Sequence, residues 1–180
     1  MKIVLIGIQG SGKSTQGELL QKKLNVPFLA TDNIFRQLAK EENEIGKYIR
    51  EYMFAGYLVP DEKVIEIVSG YLTKNEYKNG YILDGFPRTV KQAEAFKDDL
   101  DYVIYLKVSD TEALNRISNR KDATRKDETP DAIKRRIAAF HEQTEPVIEY
   151  YRQKGQLIEV NGEQTIEEIH KKIFEKLNEK

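Results

Sequence analysis

Five short runs of the chain are apolar without alternation: "IVLI" at 3–6, "VPFLA" at 26–30, "YIL" at 81–83, "YVIYL" at 102–106 and "LIEV" at 157–160. A strand with one wet face alternates apolar and polar residues. Runs that are apolar on both faces instead predict strands covered on both sides, as in a parallel sheet. Helix-length segments separate the runs, and that alternation predicts an α/β sandwich built from right-handed crossovers. The last segment, from about Thr165 to Leu177, puts Ile166, Ile169, Ile173 and Leu177 on one helical stripe.

Two segments break the simple alternation. Residues 31–74 hold three helical patterns where one helix would connect the second and third strands, which predicts an inserted helical module. "NRKDATRKDETP", residues 119–130, is polar, has no apolar face and reads as an exposed loop. Thr129 and Pro130 then read as the N-cap and first position of a helix. Ile133, Ile137, Phe140, Val147, Ile148 and Tyr151 continue it as a stripe, with a kink expected at Pro146.

Composition narrows the function. The 180 residues suffice for one domain with a proper core, here taken as a single unit over 1–180. Lys and Arg number 29 against 30 Asp and Glu, for a net charge of −1. Nothing global therefore points to nucleic acid or an anionic membrane, and any basic site must be local. The absence of cysteine removes disulfides, thiolate zinc sites and thiol nucleophiles together. Met1 opens directly into a strand-like run, and no stretch approaches the roughly 18 apolar residues of a membrane span. The expectation is a soluble, cytoplasmic protein. His141 and His170 stand apart from any second histidine at ligand spacing and read as surface or core-edge residues rather than metal ligands.

Chemistry begins at "GIQGSGKSTQ", residues 7–16, which satisfies G-x-x-x-x-G-K-[ST] with Gly7, Gly12, Lys13 and Ser14. It lies between the first strand and a segment able to start a helix. Loop amides from Gly10 through Ser11, Gly12, Lys13 and Ser14 to Thr15 would face an anion, and Lys13 would reach the outer phosphates. The glycines are needed because side chains would keep the backbone from closing around phosphate. A phosphate loop alone does not separate a GTPase, an ATPase motor and a small-molecule kinase. "GYILDGFPRT", residues 80–89, adds Asp84 just beyond the third strand, where a carboxylate can hold the water shell of Mg²⁺. Arg88 follows Pro87, which restricts the backbone. The bland alternative for Asp84 and Arg88, taken alone, is a surface pair.

Together "GIQGSGKSTQ", "GYLVPDE" (56–62), "GYILDGFPRT" with "QAEAF" after it, and "TEPVIEYY" (144–151) resemble adenylate kinase, in that family's order and across nearly the whole chain. The resemblance implies a P-loop NTPase fold with a five-stranded parallel sheet, an AMP-binding insert at 30–59 and a short lid at 119–130 over ATP. Such a compact lid resembles the family's short members rather than the long form that can bind zinc. Carried over by position, it implies that Thr31 contacts adenine and Arg36 a phosphate, while Tyr57, Leu58 and Val59 line the AMP base. Gly85 falls in the same AMP site, Arg88 grips the AMP phosphate and Gln92 reads the adenine edge. Arg116 matches the arginine that stacks on the ATP base, and Arg120, Arg125 and Arg136 match those that close on the phosphates. Gln164 takes the position whose carbonyl meets the ATP adenine, and Asp127 that of an acid ordering the lid arginines. Mg²⁺ would arrive with ATP and be held by Ser14 and Asp84, largely through water. The family expectation is a monomer.

Independently, Arg116 and Arg120 are four apart on an expected helix and repel mildly unless an anion lies between them. The chain also departs from the family pattern. Thr31, Asp32 and Asn33 stand where Thr-Gly-Asp is usual, so Asp32 takes over part of the electrostatic role or Mg²⁺ is handled more weakly. Ser14 replaces the usual glycine and offers Mg²⁺ a hydroxyl. The reading is reversible phosphoryl transfer from MgATP to AMP giving two ADP. Its rivals are a UMP/CMP kinase, whose acceptor pocket tends to carry Ala and Asn in place of Thr31 and Gln92, and a non-catalytic nucleotide sensor or assembly factor on the same fold.

Overall fold

The five apolar runs become strands β1 (Lys2–Ile6), β2 (Phe28–Ala30), β3 (Tyr81–Asp84), β4 (Tyr102–Lys107) and β5 (Leu157–Asn161) in the computed structural model, which describes residues 1–97, 99–120 and 127–179. All pair in parallel in the order β2-β3-β1-β4-β5. Val4 on the central β1 stands beside Leu83 on one side and Val103 on the other. Helices α1 (Lys13–Leu24), α2 (Thr31–Leu38), α3 (Glu44–Ala55), α4 (Asp61–Leu72), α5 (Val90–Ala95), α6 (Asp110–Ser118), α7 (Pro130–Ala139), α8 (Glu145–Gln153) and α9 (Ile166–Asn178) fill the connections.

Alternate residues of each strand feed two separate cores, which is why the strands read as unbroken apolar runs. Ile3, Leu5, Ile82, Ile104, Leu106, Ile158 and Val160 pack with Leu20 of α1 and with Ile169, Ile173 and Leu177 of α9. Val4, Ile6, Leu29, Leu83 and Val103 face the other way, toward Ile34 and Phe35 of α2, Ile49 of α3, Val68 of α4 and Val147 and Ile148 of α8. Leu20 is fully buried, with Leu24 of the same helix packed partly against that core, so truncating Leu20 to alanine would cost about 2–5 kcal/mol. Ile166 departs from the expected stripe. It is exposed in the first turn of α9 and contributes its carbonyl, which accepts from Gln16 Nε2 at 3.0 Å.

Three helices, α2 to α4, do occupy the connection between β2 and β3. Thr129 caps α7 by accepting from the Ala132 amide, with Pro130 in the first turn. The kink expected at Pro146 is a π-helical turn, Phe140–Thr144, joining α7 to α8. Proline has no N–H to give the preceding turn, and a widened turn absorbs the mismatch. Of the loop at 119–130, residues 121–126 lie outside the described residues. Because β1 has β3 on one side and β4 on the other, the connections diverge at its carboxyl end, where α/β sheets open a crevice.

Candidate active site

The phosphate loop leaves β1 at that crevice. Gly12 is the N-cap of α1 at φ +91°, a left-handed conformation that favours glycine. Among the described residues no side chain caps α1 and none in its first turn is acidic. The first-turn amides of Lys13, Ser14 and Thr15 are therefore open to an anion at the positive end of the helix. Lys13 Nζ folds back onto the loop, donating to the carbonyls of Gly7 (2.7 Å) and Ile8 (3.0 Å). Burial pushes the Lys13 ammonium below its usual range, with Asp84 opposing that shift.

Asp84 ends β3 rather than following it, and it is buried. Ser14 Oγ donates to Asp84 Oδ2 at 2.9 Å. Burial raises the Asp84 carboxyl and Lys13 offsets it only in part. A hydroxyl and a desolvated carboxylate at a phosphate loop are hard oxygen donors of the kind Mg²⁺ takes along with phosphates and water. Among the described residues no group of three or more His, Asp or Glu could hold a metal unaided.

A cleft of about 320 Å³ opens from this loop. It collects Gly10, Gly12, Lys13, Ser14 and Thr15 from the loop and α1, and Arg36, Tyr57, Leu58 and Val59 from the segment between β2 and α4. Asp84, Gly85, Arg88 and Gln92 join from the far side, with Arg120 and Arg136 above. Phe35, Val64, Phe86 and Phe140 give part of the wall an apolar surface suited to a base. Gly85 sits at φ +86°, and a Cβ there would lie 2.4 Å from Thr31 Oγ1 and 3.1 Å from Arg88 Nη2. Only a bare backbone lets the arginine cross over it.

Four expected residues are not on the wall. Ser11 is fully buried and braces the loop through its amide, which donates to the Ile8 carbonyl. Thr31 is buried, and its hydroxyl donates to the Asp84 carbonyl at 3.0 Å, tying α2 to β3. Arg116 lies beside the phosphate loop, held by Glu112 (2.6 Å) and the Gly162 carbonyl (2.8 Å). Gln164 is partly buried, with a side-chain oxygen that has no partner. The expected Arg116–Arg120 helical face is corrected as well. Helix α6 stops at Ser118, so Arg120 projects from beyond the cap and pairs with Glu128 at 3.2 Å. Arg125 lies outside the described residues.

The acids of the site organise its cations. Asp127, nearly buried, accepts from Arg136 at 2.7 Å and from Arg36 at 3.3 Å, joining α7 to α2 across the cleft. Lost hydration raises Asp127, but the Arg136 bond and the Arg36 charge outweigh it and hold the carboxyl below its usual range. Asp32 pairs with Arg88 at 2.5 Å. Lost hydration opposes it too, yet Arg88, Arg36, Lys13 and Arg136 bring its pKa down to about 2.

Several supporting residues escaped sequence reasoning. Gln92 Oε1 accepts from the Arg88 amide (2.7 Å) while its Nε2 donates to Asp61 (2.8 Å). One amide proton and one lone pair of Gln92 stay free for a ligand. Thr144 donates its hydroxyl to the Arg88 carbonyl at 2.8 Å. Gln9 Nε2 reaches Glu128 at 2.9 Å, linking the phosphate loop to the segment before α7. Asp61 and Thr144 both fall inside quoted motifs, which was the available signal.

Comparison with known proteins identifies relatives of the whole chain. The family model described as adenylate kinase matches residues 5–156. The adenylate kinase of Caldicellulosiruptor bescii is 36% identical over 212 aligned positions, covering 98% of this chain and 99% of the relative. That of Lachnospira eligens is 36% identical over 204 positions, covering 94% and 96%. The adenylate kinase of Oceanobacillus iheyensis is 34% identical over 215 positions, covering all of both chains. Alignments longer than the 180 residues of this chain mean that these relatives carry segments it lacks. A family model matched over residues 5–156, and relatives 34–36% identical across nearly the whole chain, place this chain with its phosphate loop and cleft arginines in the adenylate kinase family.

Proposed function

We propose that the chain catalyses reversible transfer of the γ-phosphoryl group of MgATP to AMP, yielding two ADP. One observation carries the reading: five cations, Lys13, Arg36, Arg88, Arg120 and Arg136, converge on one cleft with an apolar wall. An AMP phosphate oxygen forms the new P–O bond as the β–γ bridging P–O bond of ATP breaks, and ADP leaves as an anion. The attacking oxygen is already charged at neutral pH, so no general base is needed. The cleft accordingly needs in-line positioning and charge neutralisation, which its arginines suit.

In this reading the loop amides other than that of Ser11, which the Ile8 carbonyl takes, hold the ATP phosphates together with Lys13, with Arg116 and Gln164 near the donor base. Arg36 and Arg88 hold the AMP phosphate, and Gln92, Leu58 and Val59 the acceptor base, with Tyr57 at its edge. Thr31 supports the AMP site from behind through Asp84. Arg120, Arg125 and Arg136 neutralise charge on the group in transit, and Lys13 must swing from the loop carbonyls to the phosphates. Mg²⁺ arriving with ATP would be held by Ser14 and Asp84, largely through water, and would add to the neutralisation of phosphate charge. Residues 30–59 act as the acceptor module and 119–130 as a short lid, consistent with relatives that are longer than this chain. Closure would exclude water, the competing nucleophile.

A monomer working in the cytoplasm fits this scheme. No helix among the described residues is long and apolar enough to cross a membrane. The test is ADP formation from ATP with AMP, UMP, CMP or GMP as acceptor. AMP should be strongly preferred and ATP alone should give no ADP. Preference for UMP would overturn the acceptor assignment, and no transfer to any acceptor would overturn the reaction.

A further inference from the structure

Asp32 and Asn33 stand where the family usually has glycine and aspartate, and the fold treats them differently. Asn33 is exposed and does not line the cleft, whereas Asp32 does. As the second residue of α2, Asp32 carries its carboxylate at the positive end of a helix. Its Oδ1 accepts from Arg88 Nη2 at 2.5 Å. The rest of Arg88 is fixed elsewhere, with Nε on the Gly85 carbonyl at 2.8 Å and the backbone amide on Gln92 at 2.7 Å. Asp32 thus takes the Nη2 donor of a guanidinium whose Nε is anchored on a backbone carbonyl. Lys13, Arg36 and Arg136 also act on it, and Asp84 is the neighbouring acid.

A carboxylate and a phosphate offer a guanidinium the same paired oxygens, so both seek the same edge. We infer that Asp32 is a positioning residue that competes with the acceptor phosphate for Arg88 and is displaced from it when the monophosphate binds. The inference rests on the assignment of Arg88 to the acceptor phosphate. The phosphate wins because it brings up to two charges and three acceptor oxygens against one half-exposed carboxylate. Displacement has a cost, since the pair must break and the freed carboxylate stays close to a dianion. Asp32 therefore aims Arg88 while lowering affinity for the acceptor, and Asn33, turned outward, takes no part.

The test is calorimetric titration of the full chain with AMP and, separately, with adenosine, in wild type, Asp32→Asn and Asp32→Gly. Both variants should bind AMP about 3- to 10-fold more tightly, the range expected from removing a partly exposed charged competitor and its repulsion. Adenosine, which lacks the phosphate, should bind all three alike. In an Arg88→Ala background, Asp32→Asn should shift AMP affinity by a smaller factor, because the shared partner is gone. Unchanged or weaker AMP binding in both variants would overturn the inference, as would an equal gain for adenosine. If UMP proves to be the acceptor, only the acceptor assignment falls, and the same tightening should appear with UMP. Failure of all four monophosphates to bind wild type and variants alike would overturn both readings.

Discussion

Replacing Asp127 with alanine removes an acid that two arginines of the cleft share. Its side chain is only 8% exposed, and those of Arg36 and Arg136 are 18% and 15% exposed. Breaking a buried ion pair by removing one partner typically costs about 3–5 kcal/mol, because the surviving charge has lost water and gained nothing. Here the penalty should be smaller. Arg136 keeps the Met53 carbonyl at 2.8 Å, the Arg36 contacts are long at 3.3–3.4 Å, and both guanidiniums retain some solvent. About 2 kcal/mol is the expected loss, read from urea denaturation followed by far-UV circular dichroism. The pH dependence gives an independent check. The folded pKa of Asp127 lies below its unfolded value, so its contribution is fully present above about pH 4 and is lost as pH falls through the folded value. The gap between wild type and Asp127→Ala should hold from about pH 5 to 8 and shrink in acid. A loss below about 0.5 kcal/mol at neutral pH, or a gap that widens on acidification, would refute the argument.

Other perturbations separate the roles. Arg88→Ala should lower turnover by about 10²–10³-fold with little change in melting temperature, as its partners are a half-exposed acid and one carbonyl. Near-normal turnover would remove it from the site. Asp61→Ala releases the Gln92 amide from one of its two anchors and should raise KM for AMP about 10-fold with a smaller effect on kcat. His141 is bonded to Glu145 at 2.7 Å and Asp110 at 3.0 Å, and the Glu145 bond leads in raising its pKa against an opposing loss of hydration, with Asp110 adding to the rise. Its stabilisation is therefore full below about pH 6.5 and is lost as pH rises through the folded pKa. Because the pair is exposed, His141→Asn should lower Tm by only about 1–2 °C at pH 5.5, with the difference gone by about pH 9.

Much of the fold was legible because its determinants are local. A strand buried on both faces declares itself by losing alternation, and the phosphate loop by the glycines its backbone requires. Thr129 and Pro130 announce α7 through groups only a few residues apart. What stayed hidden depends on partners distant in sequence. Thr31 gives its hydroxyl to a carbonyl 53 residues away, and Gln92 is oriented by an acid 31 residues before it. No periodicity encodes such a choice. Arg120 misled for a related reason: spacing suits a helix, but α6 ends at Ser118. Ile166 satisfied the apolar stripe yet lies in the first turn of α9, beyond the edge of the sheet core. The pairing of Asp32 with Arg88 was foreshadowed only by a change in residue type, and its partner emerged from the fold.

The central claim is that one cleft holds two mononucleotides with their phosphates meeting between the loop and the arginines. Its most direct test is calorimetric titration with diadenosine pentaphosphate, which joins two adenosines through a phosphate chain one longer than ATP and AMP carry together. The account predicts one molecule bound per chain, after which neither ATP nor AMP produces further heat. Absence of binding, or continued binding of either nucleotide to the saturated chain, would contradict it.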